Sequence, residues 1–458
     1  MNRQLINGDC LEELKKLDDN SVDLLCTDPP YGYGFMGKHW DTFKEKDSTK
    51  SQQVGWMSPG MKKDTYGMKE FFEPIWTECL RVLKPGALAF VMSAPRSDVQ
   101  TIMSQTLRDA GFDISFTPIY WTYASGFPKA MNIGKMIDKQ KGVEREVNGK
   151  NPNDRESEAL YELGFQGGKG DGNIVGGAVS DEAKKLDGSY GGFQPKPAVE
   201  VVLVAMKPVE EKGLLAQAQK NGKAVSWFDD CRIPFEEGHE PSDNQSMPDL
   251  RDVGKKSKEA IGIDKLSYGQ VENAERKEYE QNSDGRFPAN MLVSDEVLDD
   301  YSRYFSLDEW FSKNLKSLPE PVQQTFPFMI VPKASKAEKN DGLDNFDTKQ
   351  VTGGGGGVGD YIDDVNSASG KFGSEKAPSR NIHPTVKPLT LMNYLVVLGS
   401  RKGDVVLEPF AGSGTTALAC VSQERDYIAI EREEEYYEIA KARLDKVEQP
   451  LKMWEKFS

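Results

Sequence analysis

An α/β chain built on a doubly wound, mainly parallel sheet is what the sequence predicts, and three features predict it. Strand-sized apolar runs alternate with helix-length amphipathic segments, this alternation occupies both ends of the chain, and a lone β-branched run stands between two long irregular stretches. In the first block, residues 4–7 and 22–27 read as short strands, 71–83 as a helix closed by Lys84-Pro85-Gly86, and 87–93 as a buried strand. Residues 97–110 then read as a helix and 112–121 as a strand. The lone run is 199–206, bounded by prolines. In the last block the order is helix 389–398, strand 405–407, helix 415–422, strand 427–430 and helix 433–447.

At 458 residues and 37% hydrophobic content, the chain has material for a sizeable core with insertions. Its longest apolar stretches, 87–94 and 199–206, are strand-sized, and residues 1–11 lack the apolar run of a signal peptide. A soluble, cytoplasmic protein with no membrane partner is therefore expected. The five cysteines (Cys10, Cys26, Cys79, Cys231, Cys420) form no Cys-x-x-Cys pair, which argues against a disulfide framework and against a metal cluster. The net charge of −15 opposes general phosphate binding, so any nucleic-acid contact must use local basic surface. Little of 124–198, with its Gly pairs and mixed charge, looks stable alone. The stretch 207–382 holds aromatic clusters (Trp227, Phe228; Phe305, Trp310, Phe311; Phe326, Phe328) and is expected to fold in part. Its five glycines at 353–357 read as a linker, since no strand precedes them.

Glu408-Pro409-Phe410-Ala411-Gly412-Ser413-Gly414-Thr415 joins strand 405–407 to helix 415–422. Glycines at such a turn let the backbone approach a ligand, and a helix start offers unpaired N–H groups. A Gly-x-Gly alone is more often a tight turn. Glu431, at the end of the next strand, adds weight, because a carboxylate there can bond both hydroxyls of a ribose. The pair points to an adenosine ligand. A nicotinamide oxidoreductase, the rival from another functional class, wants Gly-x-Gly-x-x-Gly; Ala417 stands at the third position and leaves the choice open here.

Asp28-Pro29-Pro30-Tyr31 directly follows strand 22–27, at a strand's carboxyl end, where open α/β sheets bind ligands. The tetrapeptide resembles the Asp-Pro-Pro-Tyr signature of amino-group DNA methyltransferases, and residues 410–414 resemble their Phe-x-Gly-x-Gly cofactor motif. His383-Pro384-Thr385-Val386-Lys387-Pro388 is similar to the motif that precedes that cofactor strand. With the catalytic motif first and the cofactor motif last, the order matches the family's beta class. The resemblance implies a circularly permuted methyltransferase sheet of the seven-stranded type, S-adenosylmethionine as cofactor, double-stranded DNA as partner, and a bacterial or phage-encoded enzyme. On this reading 1–123 is the catalytic half, 124–198 an insertion, 199–206 a strand of the same sheet, 207–382 a target-recognition insertion and 383–450 the cofactor-binding half. A homodimer and a cognate restriction enzyme are compatible with the reading, which decides neither.

The chemistry explains the residue types. An adenine N6 or cytosine N4 amine is a poor nucleophile because its lone pair is delocalised into the ring. Asp28 can accept one of its N–H groups and the Pro29 carbonyl the other, which localises the lone pair toward an incoming methyl group without a covalent intermediate. Pro29 and Pro30 stiffen the turn, and Tyr31 is expected to stack on a base rotated out of the duplex. The resemblance further implies that Asp9, with Cys10 beside it, holds the cofactor's adenine amine; Asp9 also reads as a helix N-cap. Thr385 and Lys387 are expected near the cofactor's methionine end, and Glu408 departs from the family's Asp by one methylene. Residues 34–69, rich in lysine with Trp40, Phe43, Trp56 and Tyr66 interleaved, are the expected DNA-backbone surface; 125–129 and 286–290 are candidates for target contacts. A C5-cytosine methyltransferase is excluded because no cysteine follows a proline, and an oxidoreductase leaves 28–31 unexplained. The resemblance also implies a lean toward adenine N6, since in the family an Asp at the first motif position usually accompanies adenine, with cytosine N4 the alternative. Removing 207–382 is expected to leave a chain that binds cofactor without selecting DNA.

Overall fold

In a computed structural model of the chain, the described residues are 3–32, 65–123, 132–150, 173–193, 198–235, 285–294, 305–319, 336–346, 380–383 and 385–455, besides 302 and 323. Their strands are β1 Arg3–Asn7, β2 Val22–Thr27, β3 Leu83–Ser93, β4 Ile119–Thr122, β5 Val147–Lys150, β6 Asn173–Val175, β7 Val199–Met206, β8 Met291–Val293, β9 Val405–Glu408 and β10 Asp426–Glu431. β5 and β6 pair with each other, and the other eight form one sheet in the order β1-β10-β9-β2-β3-β7-β4-β8. All of these run parallel except β7, which lies antiparallel to β3 and β4. The doubly wound, mainly parallel sheet is thus the one expected, with the isolated run 199–206 as its reversed strand. β8, which comes from the long insertion, adds a further edge strand.

Side-chain alternation divides the core between the two faces of this sheet. On β3, Leu88, Phe90 and Met92 join one buried cluster and Ala89 and Val91 the other. The second face is covered by the helices α1 Cys10–Leu14, α2 Thr65–Val82 and α3 Ser97–Asp109. The first carries α4 Leu307–Ser317, α6 Leu389–Gly399, α7 Thr415–Ser422 and α8 Glu434–Glu455, while α5 Lys336–Asn340 leads to Leu343, which packs in a smaller cluster with Tyr436 and Ile439 of α8. Every residue of α6 is buried, as an all-round apolar helix requires. Its last residue, Gly399, sits so close to β2 and β3 that a Cβ there would stand 2.6 Å from Leu24 and 2.7 Å from Phe90. On the other side of α6, Trp310 of α4 meets Tyr394 edge-to-face at 4.9 Å. Cys231, Ile233, Leu292, Leu307 and Phe311 enter the same cluster, so parts of the long stretch 207–382 are built into the core.

Two expectations differ from the structure. The strand drawn over 112–121 is only Ile119–Thr122. Asp113 Oδ1 accepts from Ser115 N (2.9 Å) and Ser115 Oγ (2.7 Å), folding a local turn, and Pro118 has no N–H for a ladder. Lys84-Pro85-Gly86, read as a helix stop, instead lies within β3 as an irregularity. Val22 pairs with Leu83 and Leu24 with Leu88, and Gly86 takes φ +78° where a Cβ would press on Ala224 at 2.9 Å. Among the described residues no helix is long and apolar enough to cross a membrane.

Candidate active site

Four neighbouring strands, β1, β10, β9 and β2, end at one place, and each delivers a motif there. The chain leaves β9 toward β10 on one side and β2 toward β3 on the other, so this is the topological switch point of the sheet. A cavity of about 380 Å³ opens at it. Of the residues singled out from sequence, Asp9, Cys10, Asp28 to Tyr31, Thr385, Lys387, Glu408 to Ser413, Thr415 and Glu431 all line it; Gly414 alone does not.

Glycine geometry shapes the loop after β9. Gly412 has φ +53°, and a Cβ on it would lie 2.7 Å from His383 Nε2; Gly414 has φ +79° and backs onto Ala440 at 2.9 Å. Behind the loop, buried Arg443 of α8 donates to Ser413 O (2.5 Å), Ser413 Oγ (3.1 Å) and Thr415 Oγ1 (3.3 Å). Burial lowers this guanidinium to about 10. Glu431 accepts Gly412 N on Oε2 (2.7 Å) and Glu433 N on Oε1 (2.8 Å). Burial outweighs these two donors and raises its carboxyl to about 7. Glu408 is enclosed more completely: Thr27 Oγ1 (2.5 Å) and Phe410 N (3.0 Å) donate to Oε1, and Thr416 Oγ1 (2.8 Å) to Oε2. Its carboxyl is pushed up by burial to about 8. Its longer side chain therefore reaches back into the protein.

On the β1 side, Asp9 caps α1, with Oδ1 accepting Leu11 N (3.0 Å) and Glu12 N (3.3 Å) while the residue faces the cavity. Burial and then the Asp9 charge raise the Cys10 thiol to about 12, so it stays protonated and unreactive at neutral pH. His383 packs edge-on to Tyr436 at 4.6 Å; burial, then the charges of Lys387 and Arg443, lower it to about 3 and keep it neutral.

At the end of β2, Asp28 Oδ1 accepts the Tyr31 hydroxyl at 2.7 Å and Oδ2 accepts Lys387 Nζ at 2.6 Å. The same ammonium lies 3.3 Å from Glu200 Oε2, and 5.6 Å from the centre of the Tyr31 ring. Although burial opposes its charge, Asp28 and Glu200 raise Lys387 above the ordinary lysine range. Lys387, expected at the methionine end of a cofactor, lines the cavity with its ammonium on the carboxylate of Asp28.

Phe71, Pro74 and Ile75 of α2, which line the cavity, were not anticipated, nor were Glu200 and Arg443, which lie behind its wall and bond Lys387 and the loop after β9. A charged residue inside the otherwise apolar run 199–206 is the one signal that pointed to Glu200. Residues 33–64 of the basic segment, 125–129, Pro384 and 353–357 lie outside the described residues. Segment 286–290 immediately precedes β8 and so stands at the end of the sheet opposite the cavity. There Arg286 Nη1 donates to Pro234 O (3.0 Å) and Asn290 Nδ2 to Pro118 O (3.2 Å), while Phe287 is 61% exposed.

A 70-residue stretch is 44% identical to the type II methyltransferase M2.MboI of Moraxella bovis, covering 15% of this chain and 26% of that protein. A 67-residue stretch is 45% identical to the type II methyltransferase M.HpaI of Haemophilus parainfluenzae, covering 15% and 21%. The matched stretch thus spans about a quarter of the length of these relatives. Among solved structures, the PvuII DNA methyltransferase (cytosine-N4-specific) superposes with a TM-score of 0.40 at 13% identity, over 99% of this chain and 93% of that one. M1.HpyAVI in complex with SAM gives 0.36 at 14%, over 96% and 98%. The family model for N6/N4 DNA methylases matches residues 22–442, nearly the whole chain, and the chain belongs to that DNA methylase family.

Proposed function

We propose that this chain transfers a methyl group from S-adenosylmethionine to an exocyclic base amine in double-stranded DNA, at N6 of adenine. The observation that carries the reading is the opening of Asp28, after β2, and Glu431, at the end of β10, onto one cavity. The lining fits the cofactor. Glu431 stands where a ribose diol binds, Asp9 offers an acceptor for an adenine amine, and positive-φ Gly412 lets backbone come close. Carboxylates outnumber cations around the cavity, which suits a cationic ligand. When bound, S-adenosylmethionine supplies a methyl group on a positively charged sulfur.

The chain's own residues do the rest. Asp28, held by Tyr31 and Lys387, accepts one amine hydrogen, and the Pro29 carbonyl accepts the other. A carboxylate has about four acceptor sites, so two existing bonds leave room for the amine. Tyr31, at the cavity wall, offers its ring to a base rotated out of the duplex. Base selection is assigned to 207–382, and DNA-backbone contact to the lysine-rich segment after the catalytic motif.

Mixed-sequence duplex DNA incubated with the purified protein, digested to nucleosides and resolved by mass spectrometry tests this. N6-methyladenine is the expected product. N4-methylcytosine without N6-methyladenine would overturn the adenine assignment and leave the Asp28 chemistry standing; neither product, in duplex or single strands, would overturn the reading.

A further inference from the structure

Outside the cavity wall, a charged side chain meets the ion pair of Asp28 and Lys387. Glu200 stands on the reversed strand β7, opposite Trp121 of β4 in the ladder, and does not line the cavity. Its Oε2 is 3.3 Å from Lys387 Nζ, which is itself 2.6 Å from Asp28 Oδ2. The Lys387 side chain is only 10% exposed and those of Asp28 and Glu200 are 18% and 21% exposed, so water screens the three charges weakly. Tyr123, just past the end of β4, has its phenol held well above the ordinary tyrosine range by burial and then by the charge of Glu200.

We propose that Glu200 is a positioning residue that offsets the charge of Lys387 and so returns to the site the negative charge of Asp28. Alone, Asp28 and Lys387 form a neutral pair, which holds the Asp28 carboxylate in place but presents little net field. Taken as carboxylate, ammonium and carboxylate, the three carry one net negative charge. In the transfer the amine lone pair forms the new N–C bond, the C–S pair stays on sulfur, and positive charge moves to the amine nitrogen, one of whose protons then leaves through Asp28. A triad of net charge −1 stabilises that nitrogen as charge arrives, and a neutral pair does so far less. Lys387 thereby fixes the geometry of Asp28 without cancelling its electrostatic effect. This inference rests on the proposed transfer at Asp28.

Binding without catalysis tests it. The full-length chain is titrated by calorimetry with S-adenosylhomocysteine, neutral at sulfur, and with an analogue carrying an ammonium group in place of the methylsulfonium. The ratio of the two affinities reads the net charge of the site. Glu200→Gln should lower the preference for the cationic analogue, and Lys387→Met should raise it, each roughly three- to thirtyfold, the size of one charge acting across a partly buried site. Glu200→Asp, which keeps the charge, should stay close to wild type. General damage to the cavity would move both variants in the same direction. Single-turnover methylation by Glu200→Gln should fall about tenfold while S-adenosylhomocysteine affinity holds, less than the hundredfold or more typical of losing a directly contacting group. An unchanged ratio in folded Glu200→Gln, or shifts of the same sign in both variants, overturns the role of Glu200. Wild-type turnover by Asp28→Ala overturns the underlying reading instead.

Discussion

Asp28 and Glu431 face one cavity, and the proposed transfer gives them different work that substitution should separate. Asp28→Ala removes the acceptor for the base amine and is expected to lower methyl incorporation by at least about a hundredfold while cofactor affinity stays near wild type. Glu431→Ala is expected to weaken cofactor affinity first, because on the same reading its carboxylate bonds the ribose, and it also fixes Gly412 N. Calorimetry beside a methylation assay distinguishes the two; equal loss of affinity in both variants would refute the separation. Glu408 carries a different signature. Burial raises its carboxyl from 4.5 to about 8, so the folded state holds a proton that the unfolded chain releases. The associated stability is full below about pH 4.5 and is lost as pH rises through about 8. Glu408→Gln, neutral at every pH, should make the urea midpoint less sensitive to pH between about 5 and 8. A pH dependence identical to wild type would mean that the burial of Glu408 is not what governs this window.

The loop between β9 and α7 shows how an element is held from both sides. Gly412→Ala forces an L-residue to φ +53° and drives a methyl group to 2.7 Å from buried His383. The backbone alone costs about 1–2 kcal/mol, and the ring, edge-on to Tyr436 at 4.6 Å, has to shift as well. Thermal unfolding should show that loss of stability, and cofactor affinity should fall with it as the Glu431 contact opens; an unaltered affinity would show that the loop tolerates the shift. This loop was readable from sequence because its chemistry is contiguous: strand, glycines and helix start follow one another within 405–422. Asp28 to Tyr31 was readable for the same reason. Glu200 and Arg443 were not, since they come from β7 and α8 and meet the motifs only through the fold. The strand expected at 112–121 failed because a local Asp113–Ser115 turn prevailed over apolar patterning. β8 and α4 went unseen because they lie between charged and Pro/Gly-rich stretches, and β8 has three residues, too few for a period to register.

At the scale of the whole molecule, the long insertion is tied to the sheet that carries the site. β8 extends that sheet beside β4, Trp121 Nε1 donates to Ser294 Oγ at 2.8 Å, and Lys223 binds Asp23 of β2 and Asp404 before β9, both at 2.8 Å. Farther along, Asn340 Oδ1 accepts Arg380 N and Asn381 N, and Glu338 accepts Leu389 N at the start of α6. Deleting 207–382 therefore strips core and sheet edge together, and a folded cofactor-binding remnant is no longer the expected result. A milder probe is Trp310→Ala. Trp310 is 1% exposed, packs on Tyr394 of the wholly buried α6, and donates Nε1 to Asp230 O at 2.9 Å. Its truncation should cost about 3–5 kcal/mol from the lost ring, with a further penalty for the Asp230 carbonyl it leaves behind. Because α6 lies between α4 and β2–β3, that loss should reach the cofactor loop through a single transition. Urea unfolding followed by far-ultraviolet circular dichroism and by protection of Cys420, buried in α7, from thiol labelling should give coincident midpoints, both lowered by the substitution. If Cys420 protection keeps its wild-type midpoint while the bulk signal moves, the insertion and the cofactor half unfold separately, and the shared core does not couple them.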